Sequence, residues 1–289
     1  RVQLANEELK AVEDYVTLSR AQQRDVQQRF KGGAGTQLET YTAQRQVVRY
    51  RLQYEQKQAE VSTAYKELLA LTNPEFGQEA STIFERPRLE PLSRTLTHFL
   101  SFTNEAPTEN HPQVKSLELT SESSTLMAES LRAKLFPTLQ VSLSSNVSYP
   151  NGPQLININQ NTLVLSLNVP LFLGDPTWHQ IDQKLSDARG AHYRARQVKL
   201  QLHRDYEKAL EMIESLKQQQ KLAAQDLKEA SEVAKLYFDS YKAGKFNFID
   251  VQTVNNEALQ AKVNAARIDA QLIGQLISLL AVQGKEGTL

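Results

Sequence analysis

The chain carries two copies of one pattern. Sliding the sequence against itself by about 211 positions sets Arg29-Phe30-Lys31-Gly32-Gly33 on Ser240-Tyr241-Lys242-Ala243-Gly244. The same shift sets Leu68-Leu69-Ala70-Leu71 on Leu279-Leu280-Ala281-Val282, with no gap between the two matches. Apolar positions repeat with the letters. Leu202, Tyr206, Ala209, Ile213, Leu216, Gln220, Ala223, Leu227, Ala230, Ala234, Tyr237 and Tyr241 alternate at spacings of four and three, the seam of a coiled coil. Val2, Ala5, Leu9, Val12, Val16, Ser19, Gln23, Val26 and Phe30 do the same, and from Leu9 onward they fall on that seam under the shift. Two long helical hairpins are the expected result.

Each hairpin should turn at a glycine-bearing stretch, Lys31 to Thr36 and Lys242 to Asn247, where Gly takes the positive φ that stops a helix. The returning helices are expected to run to about Thr72 and Val282, the second with its seam at Leu259, Val263, Ala266, Ala270, Ile273, Ile277 and Leu280. Glu55 and Lys66 interrupt the seam of the first copy and should face water or a neighbouring subunit. The rising helix of the second copy should start near Pro176 and continue to about Ala243, roughly 100 Å of helix. Proline-rich 73–110, with an amphipathic stretch at Leu92 to Phe102, reads as a connector of small elements packed outside the long helices. No apolar run is expected to be long enough for a transmembrane helix.

Between Pro137 and Pro170 the period changes to two. Leu139, Val141, Leu143, Val147 and Tyr149 alternate with Thr, Gln, Ser and Asn, and so do Leu163, Leu165, Leu167 and Val169. Each run is close to the ~9–11 residues of a tilted strand crossing a bilayer. No Lys, Arg, Asp or Glu occurs from Thr138 to Gly174, in a chain that is 23% charged. Tyr149-Pro150-Asn151-Gly152-Pro153 has the chemistry of a tight external turn. Phe136, Tyr149, Phe172 and Trp178 stand near the strand ends, where aromatic rings settle at a membrane boundary. The plainer reading is a hairpin covering a soluble core. Two strands cannot close a barrel, so the membrane reading requires strands from other chains.

Lys plus Arg (33) equals Asp plus Glu (33), so no global field favours nucleic acid. With no Cys, thiolate metal sites and a Cys nucleophile are excluded. The five His residues show no metal-ligand spacing, and neither HExxH nor GxSxG occurs. Glycines 32, 33 and 35 follow a helix rather than a strand, so they suit a helical turn better than a phosphate loop. No cofactor, no metal and no enzymatic activity are expected.

The residues resemble the TolC-like outer-membrane factor family. The resemblance lies in Leu135-Phe136-Pro137 entering the first strand, Val169-Pro170-Leu171-Phe172-Leu173-Gly174 leaving the second, and the two turns, Arg29 to Gly33 with Glu39 and Ala43, and Tyr241 to Gly244 with Asp250. It implies a mainly α fold with a transmembrane β-hairpin, whose coiled-coil hairpins form an α-barrel and a β-barrel when trimeric. The segments would be 1–72, first-repeat helical hairpin; 73–110, equatorial connector; 111–136, second-repeat leading helix; 137–174, transmembrane β-hairpin; and 175–289, second-repeat long helical hairpin. On the order of 100 residues of the first repeat, plus any signal peptide, would lie upstream of residue 1.

The resemblance also implies a passive outer-membrane exit duct, extending into the periplasm of a Gram-negative bacterium, for small molecules or proteins. It would serve a tripartite efflux pump or type I secretion. Implied partners are two further copies of the chain, a periplasmic adaptor, an inner-membrane transporter and outer-membrane lipid, with no nucleic acid. Glu39 and Asp250, equivalent under the shift, would line the pore gate; the plainer role is a helix-start carboxylate favoured by the N-terminal dipole. Phe246 and Thr253 stand where other members carry further gate charges. Lys31, Gly32, Gly33, Lys242, Gly244, Lys245 and Phe246 would form the adaptor-docking tips, against the alternative of plain turns. Leu139, Val141, Leu143, Leu163, Leu165 and Leu167 would face lipid. A periplasmic adaptor-like coiled-coil protein is the alternative function, disfavoured by two hairpins without lipoyl or small β-barrel domains. A soluble helical scaffold or a bar-shaped membrane-remodelling protein is disfavoured by the charge-free strand pair.

Overall fold

A computed structural model describes residues 1–72, 89–100, 111–149, 153, 155–170 and 176–284. The predicted connector at 73–88 and 101–110, the loop tip at 150–152 and the exit motif at 171–174 with Phe172 lie outside the described residues. The elements run α1 (Val2–Lys31), α2 (Gln37–Thr72), α3 (Leu92–Leu100), α4 (Pro112–Ala133), β1 (Thr138–Ser148), β2 (Ile158–Asn168), α5 (Pro176–Lys242) and α6 (Phe248–Val282). The chain divides into one compact unit of residues 1–106 with 205–289, and another of 107–204.

In the first unit, α1 and α2 form one helical hairpin, and α6 returns from the downstream part of α5 to form the other. The predicted α5 seam is inward: Tyr206, Ala209, Ile213, Leu216, Ala223, Ala234 and Tyr241 are buried. Tyr206, Ala209, Ile213 and Leu216 pack on Ile268, Leu272, Leu276 and Leu279 of α6, and α3 adds Leu92 and Leu96 to the same cluster. A fully buried leucine such as Leu272 contributes about 2 kcal/mol by transfer from water. Gln3 of α1 secures α3 by donating to the Glu90 carbonyl at 2.9 Å and to Thr95 Oγ1 at 2.7 Å. Glu55 and Lys66 are exposed, as their charge demands.

Helix α6 departs from the single seam expected of it. Leu259 and Val263 face the first hairpin, against Ala11, Val12 and Tyr50. A second stripe, through Val254, Ala258, Ile268, Leu272 and Leu279, faces α5. Ile277, placed on the seam by its spacing, is 41% exposed. Burial on two sides makes α6 apolar enough, by length and composition, to pass as a membrane-crossing helix, contrary to the expectation that no such run exists. Many of its apolar positions serve the helices on either side of it, while Ile249 and Ile277 stay exposed.

In the second unit, α4 begins at Pro112, whose missing N–H costs nothing in a first turn, and His111 caps it by accepting from the Gln113 N–H at 3.3 Å. Ala188, Ala191 and Ala195 of α5 are buried, and their small size allows Ser121 Oγ of α4 to donate to the Ala188 carbonyl at 2.8 Å. Strands β1 and β2 pair antiparallel, with Leu139 opposite Leu167, Val141 opposite Leu165 and Leu143 opposite Leu163.

Candidate functional site: the strand face and the hairpin tips

Alternation along each strand puts the six directly opposed residues on one face, while Gln140 opposite Ser166 and Ser144 opposite Thr162 occupy the other. The apolar face is uncovered, with Leu139, Val141, Leu143, Leu163, Leu165 and Leu167 all 63–76% exposed. Phe136, Tyr149 and Trp178 are exposed as well.

Both hairpin tips use one construction. After α1, Gly33 takes φ 74°, its N–H donates to the Phe30 carbonyl, and the Ala34 N–H reaches back to the Arg29 carbonyl. After α5, Gly244 takes φ 76°, with the Gly244 N–H on the Tyr241 carbonyl and the Lys245 N–H on the Ser240 carbonyl. Such bonds satisfy carbonyls that a helix end otherwise leaves unpaired. The following helices start alike. Thr36 Oγ1 accepts from the Glu39 N–H at 3.2 Å while the Glu39 carboxylate accepts from the Thr36 N–H at 2.9 Å. Asn247 Oδ1 accepts from the Asp250 N–H at 2.9 Å, and the Asp250 carboxylate from the Asn247 N–H at 3.3 Å. These are capping boxes, so the helix-start role of both carboxylates is present in the fold.

The two tips are joined. The guanidinium of Arg29 donates to the Lys242 carbonyl and lies over the Tyr241 ring at 4.9 Å. Beneath it Val26, Ala43, Tyr241, Phe248 and Val251 form one buried cluster. Burial raises the Tyr241 pKa, the Glu39 carboxylate adds to the rise and Arg29 opposes it. Lys242 spans a 3.9 Å ion pair with Asp25 and lies over the Phe238 ring, and the Phe246 ring lies against Tyr237, centroids 4.7 Å apart and planes tilted by 33°. Lys31, Gly32, Gly33, Lys242, Gly244, Lys245 and Phe246 are exposed.

Farther from the tips a polar ladder ties the hairpins together. Tyr50 Oη and Gln46 Nε2 donate to Asn256 Oδ1, at 2.9 and 3.2 Å, and buried Asn255 donates to Gln22 at 2.9 Å. Burial pushes the Tyr50 hydroxyl up to about 12. Glu8, 5% exposed, accepts from Lys57 at 2.6 Å and from Arg267 at 2.8 Å, joining α1, α2 and α6. Burial alone would raise its pKa; Lys57 and Arg267 outweigh that and hold the carboxyl below the usual range. Nothing in the sequence marks Glu8, which sits one position off the seam and whose partners are 49 and 259 positions away. Among the described residues no group of three His, Asp or Glu could hold a metal ion.

The sequence model of one family, described as outer membrane efflux protein, matches residues 106–285. No curated protein sequence matches the chain. Among solved structures, a membrane protein from Pseudomonas aeruginosa is 17% identical, with a TM-score of 0.74, over 98% of this chain and 65% of the other. The Campylobacter jejuni CmeC outer membrane channel is 14% identical, TM-score 0.72, over 98% and 60%. The open state of the Neisseria gonorrhoeae MtrE outer membrane channel is 14% identical, TM-score 0.69, over 98% and 65%. The chain thus spans less than two thirds of the length of these three, and at such identity the likeness concerns the fold.

Proposed function

The chain belongs to the outer membrane efflux protein family, and from that premise we propose that it is a subunit of a trimeric exit duct, passively conducting small molecules or proteins across the outer membrane. Membership places it at the outer membrane, reaching into the periplasm. The observation that carries the reading is the strand pair. Six exposed apolar side chains stand opposite one another on a face with no formal charge, which hydrocarbon solvates better than water. The open edges of a two-stranded sheet are intolerable in lipid, so neighbouring copies supply the pairing strands.

In this reading the tips meet a periplasmic adaptor through Lys31, Gly32, Gly33, Lys242, Gly244, Lys245 and Phe246, and an inner-membrane transporter supplies the energy. Either a tripartite efflux pump or a type I secretion system accommodates such a duct. Glu39 and Asp250 serve twice, as caps and as the carboxylates of the pore gate, where a ring of negative charge favours cations. Support comes from their equivalent placement just past the two tips, each only half-buried.

Extraction and reconstitution test the proposal. The protein should leave membranes only with detergent, run as a trimer, and open a cation-preferring conductance in planar bilayers. A detergent-free soluble monomer would end this reading.

A further inference from the structure

One stretch of α5 breaks the charge balance of the chain. Residues 188–204 hold Arg189, Arg194, Arg196, Lys199 and Arg204, with His192 and His203, and no Asp or Glu, although 33 basic and 33 acidic residues cancel over the whole sequence. Arg189, His192, Arg196, Lys199 and His203 recur at alternating spacings of three and four, so one face of the helix carries them as a stripe about 21 Å long. All five are exposed, and all lie in the second unit. The acid just before the stripe is engaged elsewhere, since Asp187 pairs with Lys184 at 3.4 Å. Arg189 donates to a neutral group, Ser186 Oγ at 3.1 Å, and among the described residues no carboxylate pairs with Arg189 or Arg196.

Where the stripe begins, α4 and α5 leave a groove of about 470 Å³ between them, within the size range of small-molecule sites. Thr125 lines it from α4, and Leu185, Arg189, His192 and Tyr193 line it from α5. The hydroxyls of Ser121 and Thr125 already donate to the Ala188 and Ser121 carbonyls, at 2.8 and 3.1 Å, so the donors left to a ligand come from the basic stripe. Half-buried Leu185 supplies an apolar wall, and the Tyr193 ring, 65% exposed, stands edge-on to His192 at 6.0 Å. We propose that this groove binds a small ring-bearing organic anion, with its sulfonate or carboxylate on Arg189 and His192 and its apolar body against Leu185 and Tyr193. The guanidinium offers charge-assisted hydrogen bonds, and the imidazole donates an N–H in either protonation state. The same groove repels a cation, and it holds a neutral ring only through apolar contact.

The site stands whether or not the protein conducts, so binding tests it apart from the duct reading. This sequence has no cysteine, and Thr125→Cys places a single thiol in the groove. In the detergent-extracted protein, methyl methanethiosulfonate, a small uncharged reagent, should modify that thiol. Naphthalenesulfonate should protect it at about one tenth of the concentration that naphthylmethanol, the same ring without charge, requires, the factor one charge-assisted hydrogen bond supplies. Arg189→Gln with His192→Gln should abolish the preference for the anion, and Arg189→Lys, which keeps the charge, should retain most of it. Equilibrium dialysis of the two naphthalenes against the protein without the added cysteine reads the same preference, and covers the case in which Thr125→Cys does not fold. Equal protection by both compounds, protection that survives the loss of Arg189 and His192, or a thiol closed to the reagent would each overturn the site.

Discussion

Gly33 and Gly244 share a left-handed backbone, φ 74° and 76°, at positions equivalent under the internal repeat. A Cβ added to either would meet no atom within 4 Å, so only the backbone conformation requires glycine there. Gly33→Ala and Gly244→Ala should each destabilise the protein by about 1–2 kcal/mol. Gly244→Asn should cost less, because Asn visits this region more readily. Thermal unfolding of the four proteins checks the order, and an unchanged midpoint for Gly244→Ala would show that this tip rearranges.

The cap role of Asp250 can be separated from its proposed role in the gate. Asn247→Ala removes the side-chain cap, which should cost about 1 kcal/mol, and leaves the carboxylate in place. Its single-channel conductance should match the parent. Asp250→Ala should raise conductance and weaken cation preference. If both variants conduct alike, Asp250 only caps α6.

Glu8 should impose a pH dependence on stability. Its carboxyl is held below the ordinary value by Lys57 and Arg267, so the folded state binds this proton less readily than the unfolded chain. The contribution is therefore complete above the unfolded pKa, about 4.5, and is lost as pH falls through the lower folded value. Glu8→Gln should cost about 2 kcal/mol at pH 7, the range for hydrogen bonds to a charged group. The gap from the parent should close on acidification. A gap constant from pH 7 to pH 3 would show that the ion triad contributes nothing.

The two faces of the strand pair should respond differently to charge. Leu143→Arg, mid-strand on the apolar face, should cost about 2–4 kcal/mol if that face meets lipid, and should deplete folded protein from the outer membrane. Ser142→Arg, on the opposite face, should cost much less. Quantifying heat-resistant trimer in outer-membrane fractions compares them, and equal losses would assign both faces to the same solvent.

Local order was legible in the residues themselves. Helix α2 ends at Thr72, α5 begins at Pro176, and the strands alternate where the charges vanish, because period, proline and glycine act within a few residues of themselves. The matched letters at 29–33 and 240–244 likewise announced two equivalent turns. That reasoning stops where a helix has two neighbours. The spacing of α6 showed one seam and placed Ile277 on it, since a heptad marks an apolar face without saying how many partners press on the helix.

Sequence alone therefore determined the elements and their ends, properties of residues close together in the chain, and the repeat of about 211 positions, a match of letters that needs no contact in space. Only the tertiary structure decided that α6 is buried on two sides, that Arg29 crosses to Tyr241, and that Glu8 is held by Lys57 and Arg267. The physical reason is that side-chain pairing depends on distance in space. Positions 8, 57 and 267 share no period, spacing or motif, and become neighbours only once the hairpins have packed.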